Sequence, residues 1–67
     1  MNAKLIYGII KDDFEGNVET FIQEKQIKVE DIENVVNEMA ENSDGGMCYY
    51  PLYLVAPNGA VLQRWKE

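Results

Sequence analysis

Sixty-seven residues with a formal charge of −6, no histidine and one cysteine, Cys48, bound the chain tightly. This length fits a single small domain, and no intrachain disulfide can form. Without histidine there is no usual base for a serine or cysteine nucleophile and no commonest transition-metal ligand; the acidic balance disfavours direct binding to nucleic acid or anionic membrane, and no apolar run approaches the roughly 20 residues of a membrane span.

Residues 4–11, Lys-Leu-Ile-Tyr-Gly-Ile-Ile-Lys, are rich in β-formers and predict a strand. Leu5, Tyr7 and Ile9 would face one side, Ile6 and Ile10 the other, so both faces are apolar. Residues 12–16 read as a turn. Asn17 then reads as the N-cap of a helix reaching about Gln26, with Val18, Phe21, Ile22 and Lys25 at helical spacing. Asp13 is the rival cap, which would start that helix at Phe14. A second helix is expected over about 30–42, where Ile32, Val35, Val36, Met39 and Ala40 follow the i, i+3, i+4, i+7, i+8 pattern. No good cap precedes it, and Gly45-Gly46 supplies a flexible exit with a C′ glycine. Residues 49–65 predict a hairpin turning at Pro57-Asn58-Gly59, with Ala56 opposite Ala60, Val55 near Val61 and Leu54 near Leu62. Pro51 has no ladder donor and marks a strand start, a bulge or an edge.

The expected fold is therefore α+β in the order β-α-α-β-β: a three-stranded sheet with two helices on one face. The strand order 1-2-3 is favoured over 2-3-1. Size, charge and this layout are similar to those of small acidic phage-encoded inhibitors and host regulators, with no motif behind the likeness.

Residues 12–44 hold eleven of the twelve acidic side chains against Lys25 and Lys28, a formal −9. On the expected helices, Glu30, Glu33, Glu38 and Glu41 would form one acidic row, and Glu15, Glu19 and Glu24 a second. Two such rows would present an ordered negative face to a basic protein, such as one that handles nucleic acid. The ordinary alternative is a solvated face that keeps a small protein dispersed.

Two helices can cover only one face of a sheet. The other would show Ile6, Ile10, Tyr53, Val55, Val61 and Trp65, or the complementary set if the register is reversed, an apolar patch on the order of several hundred Å². Ile6, Ile10, Tyr53, Val55 and Trp65 are accordingly candidates for self-association, as in a homodimer, with the two aromatics as anchors. Asp12-Asp13-Phe14-Glu15 does not match the spacing of a calcium loop and reads as a polar turn. Cys48, with no histidine to activate it, reads as a small buried apolar residue.

These features predict a non-enzymatic protein-binding module without metal or cofactor. Its acidic face would dock on a basic protein, in the manner of an inhibitor or regulator. The alternative is an assembly protein that self-associates through the open face or edge of its sheet. The lone cysteine and the absence of a signal-peptide pattern favour a cytoplasmic setting.

Overall fold

The computed structural model describes residues 1–65. Its elements are β1 (Asn2–Asp12), β2 (Val18–Lys28), a single 3-10 turn (Val29–Asp31) running into helix α1 (Ile32–Asn42), β3 (Met47–Val55) and β4 (Val61–Arg64). The strands form one antiparallel sheet in the order β2-β1-β3-β4. The expected three-stranded sheet with two helices is thus corrected to four strands and one helix. The predicted helix ending near Gln26 is strand β2. The strand expected over 4–11 lies beside β3, and β3 beside β4, so these three stand in the order 1-2-3 with β2 added outside β1.

Pairing explains why β2 is not a helix. Val18, Phe21, Ile22 and Lys25 fit a helical stripe, but Val18, Thr20, Ile22 and Ile27 are β-branched and fit a strand equally well. Nonlocal pairing decides between them. β1 and β2 align along their full eleven-residue lengths, from Asn2 opposite Lys28 to Asp12 opposite Val18. The reversal between them is built by Asp13, not by a helix cap. Its Oδ1 accepts the backbone N–H groups of Glu15 and Asn17, at 2.8 and 3.1 Å, and its Oδ2 accepts Asn17 Nδ2 at 2.7 Å. Phe14 and Gly16 turn the loop with φ of 64° and 95°. For the phenylalanine this is an uncommon conformation.

Odd-numbered residues of β1 face the helix. Ala3 and Leu5 are buried there with Leu54 of β3 and Met39 of α1, and Leu5 is wholly shielded. Tyr7, Ile27, Val29, Ile32, Val35, Tyr49 and Trp65 pack around this small core. Full burial of Leu5 or Leu54 is worth roughly 1.5–3 kcal/mol each. Of the predicted helix stripe, Met39 is buried, Ile32, Val35 and Val36 are half-buried, and Ala40 is exposed. Eleven helical residues span about 16 Å, whereas eleven strand residues span about 37 Å, so α1 covers only part of the sheet's length.

The helix starts without a side-chain cap, as its sequence suggests. It ends at Ser43, not at a glycine. Ser43 Oγ donates to the Met39 carbonyl at 2.9 Å and accepts the Tyr49 N–H at 2.9 Å, tying the helix end to β3. Gly45 and Gly46 belong to the next turn, where Asp44 Oδ1 accepts the N–H groups of Gly46 and Met47.

The last hairpin turns at Pro57-Asn58-Gly59. Ala56 N–H bonds the Ala60 carbonyl at 2.8 Å, and Gly59, with φ of 90°, donates to the Ala56 carbonyl at 2.9 Å. Beyond Val55 opposite Val61 the register shifts, so Leu54 faces Gln63 and not Leu62. A second shift, between Ile6 and Tyr7, leaves Leu52 as the extra residue beside Pro51. Such bulges let the sheet bend while each side keeps its set of inward residues.

Candidate protein-binding surface

Two surfaces stand out, the acidic side of α1 and the sheet face that α1 does not cover. On the first, Glu30, Glu33, Glu38 and Glu41 are all exposed, and the last turn of α1 holds no basic residue. At one hundred degrees per residue Glu41 stands opposite the stripe of Ile32, Val35 and Met39, whereas Glu33 and Glu38 lie on its two flanks, about 140° apart. Glu30 already has a partner, the N-terminal ammonium of Met1 at 2.9 Å. That hydrogen bond, with the attraction of the same ammonium charge, holds its carboxyl below the ordinary glutamate range.

The expected second acidic row does not exist. Glu15 sits in the hairpin loop, and Glu19 and Glu24 lie on β2, where their odd and even positions place them on opposite faces of the sheet. Glu24 meets Lys4 at 3.5 Å across the strands. Glu19 is therefore apart from the α1 carboxylates.

The second surface is built by alternation. On β1 the residues facing away from the helix are Lys4, Ile6, Gly8 and Ile10. Their partners across the ladders carry the same face outward: Ile22 and Thr20 on β2, and Tyr53, Tyr50 and Cys48 on β3. Val55 lies opposite Lys4 and Val61, which extends the surface onto β4. Ile6, Ile10, Tyr53 and Val55 thus stand where the sequence placed them. Trp65 does not. It packs against the core and lines a cleft with Ile32, Glu33, Val36 and Gln63 on the helix side.

Val18, Ile22 and Tyr50 belong to this surface and were missed. The first two fall on the stripe that predicts a helix, and Phe21 beside Ile22 breaks the period-two alternation that would mark a strand. Their exposures, 61% for Val18 and 60% for Ile22, match the 58% of Val61 at the other edge. Tyr50 lies flat across Gly8, leaving that glycine buried under the ring. Arg64 stands over the Tyr53 ring at 5.6 Å. The centre of the face is therefore apolar and aromatic, with Lys4, Glu24 and Arg64 beside it and Asp12 and Lys28 at its ends, a distribution typical of protein-contact surfaces.

The turn carboxylates are engaged locally. Asp12 Oδ1 accepts the Phe14 N–H at 2.8 Å, and the Asn17 side chain, together with the Glu15 N–H, lowers the Asp13 carboxyl below its ordinary range. Among the described residues no group of three or more His, Cys, Asp or Glu side chains is placed to hold a metal ion. No helix among them is long and apolar enough to cross a membrane. Cys48 is exposed, correcting its expected burial, because its even-numbered partner Ile10 puts it on the open face. No protein-family model, no curated protein and no solved structure matches this chain.

Proposed function

We propose that this chain is a non-enzymatic protein-binding module whose working surface is the open face of its sheet. The observation that carries the proposal is the run of exposed apolar side chains from Val18 and Ile22 at one edge to Val61 at the other, across the half-buried Tyr50 and Tyr53. Leaving such a run in water is unfavourable, and aromatic side chains there are effective anchors. An inhibitor or regulator acting by occlusion is the form this reading takes, in a reducing compartment such as the cytoplasm, where the exposed Cys48 thiol persists. Its likeness in layout to phage-encoded inhibitors lapses with the second helix.

A second reading rests on a separate observation. Glu33, Glu38 and Glu41 are exposed carboxylates spread over the solvent side and flanks of α1, suited to a basic protein. Salt separates the two. With the partner isolated by affinity capture and identified by mass spectrometry, apolar docking predicts an affinity nearly flat between low and high ionic strength. Docking through these carboxylates predicts a steep loss as charges are screened.

A further inference from the structure

Among the described residues nothing pairs with the outer edge of the eleven-residue β2. It contains no proline and no bulge, and what guards it is charge alone, in Glu19, Glu24, Lys25 and Lys28. Which backbone groups it offers follows from the two ends of the β1–β2 ladder. Asp13 N–H bonds the Asn17 carbonyl at 3.2 Å, and Val29 N–H bonds the Met1 carbonyl at 2.9 Å. Hydrogen-bonded pairs alternate along an antiparallel ladder, so the odd residues of β2 bond to β1. Val18, Thr20, Ile22, Glu24 and Gln26 therefore turn their N–H and C=O groups outward.

We propose that a second copy of this chain pairs antiparallel with this edge, in the register that sets Ile22 opposite Ile22. Charge and ladder length together select the register, for centring on Gln26 also opposes Glu24 to Lys28 but pairs only residues 24–28. A two-fold axis normal to the sheet keeps like faces together, so only residues of the same parity can be opposed. Centred on Ile22, Glu19 of each copy lies opposite Lys25 of the other, on the helix side, at the non-hydrogen-bonded positions where side chains approach most closely. Centring on Phe21 or Gln23 opposes no such charges, and centring on Glu24 sets two carboxylates against each other. The chosen register supplies about ten ladder hydrogen bonds. It also joins the two open faces into one continuous surface in an eight-stranded sheet. This proposal concerns the edge and stands apart from what binds the face.

Sedimentation equilibrium from about 10 µM to about 1 mM tests it on the wild type and four variants. The wild type forms a dimer in this range. Thr20→Pro removes only an outward N–H, leaves the β1 ladder intact and abolishes the dimer. Glu19→Lys and Lys25→Glu each weaken dimerisation by about tenfold, and the double reversal Glu19→Lys/Lys25→Glu restores it. A strict monomer at the highest concentration overturns the proposal. So does a dimer indifferent to Thr20→Pro, or a double reversal no tighter than the single ones. If Thr20→Pro does not fold, the exposed charge reversals decide alone.

Discussion

The Tyr50 ring lies across Gly8 so closely that a Cβ built on Gly8 would overlap it. The two residues are cross-strand partners at the centre of the open face. A glycine inside a strand is unfavourable by itself, and an aromatic ring laid over it from the neighbouring strand compensates. The pair turns what would be a hole in the face into a flat aromatic floor.

A double-mutant cycle on this pair should change sign. Gly8→Ala alone displaces Tyr50 and destabilises by about 1–3 kcal/mol. In a Tyr50→Ala background the same change meets no ring, and the lower backbone entropy of alanine stabilises by about 0.5 kcal/mol. Urea unfolding of the four proteins measures the coupling. Additive effects would show that the ring does not rest on Gly8.

Truncating the core should be severe because the core is small. Leu5→Ala and Leu54→Ala each remove a side chain that is almost wholly shielded. Each should cost about 2–5 kcal/mol, a large part of what a domain of this size has. Thermal melts followed by circular dichroism would show it. A loss below 1 kcal/mol for both would place the core elsewhere.

Asp13 should give the hairpin loop a pH-dependent stability. Hydrogen bonds from the Asn17 side chain and the Glu15 N–H hold its folded pKa below the ordinary 3.8. Its contribution is therefore complete above that ordinary value and is lost as pH falls through the lower folded value. The stability difference between wild type and Asp13→Asn should be constant near neutrality and shrink below about pH 4. A difference that grows on acidification contradicts the assignment.

Gly59 should resist substitution although nothing crowds it. A Cβ there meets no atom within 4 Å, but φ is 90°. Gly59→Ala should destabilise by about 1 kcal/mol through backbone strain, and Gly59→Asn by less, because asparagine tolerates such conformations better. Denaturant midpoints compare the two. Equal, negligible effects would mean the turn is not the one described.

Much of this architecture is legible in the chain. The β-formers of 4–11 mark a strand, and that strand is β1, although the expected order 1-2-3 puts it at an edge and β2 makes it internal. The stripe Ile32-Val35-Met39 and the Pro57-Asn58-Gly59 turn are local signals, and local signals carry through. What escaped depends on distant partners. Residues 18–25 satisfy helical spacing and strand composition alike, and only the ladder to β1 resolves them. Trp65 changes side because the register of the last hairpin shifts after Val55. The acidic second row fell with the helix that carried it, whereas Ile6 and Ile10 share a face by alternation on β1, and Tyr53 and Val55 join it as the β3 partners of Ile6 and Lys4.

The most direct test of the open face as the binding surface compares two double variants against the captured partner. Ile10→Ser/Val61→Ser alters the face alone, and Glu33→Lys/Glu38→Lys alters the helix carboxylates alone. Both should stay folded, because the affected side chains are exposed. The account predicts that the first weakens binding by roughly thirtyfold or more and that the second changes it by less than about threefold. Undiminished affinity in the first variant with a large loss in the second would contradict it.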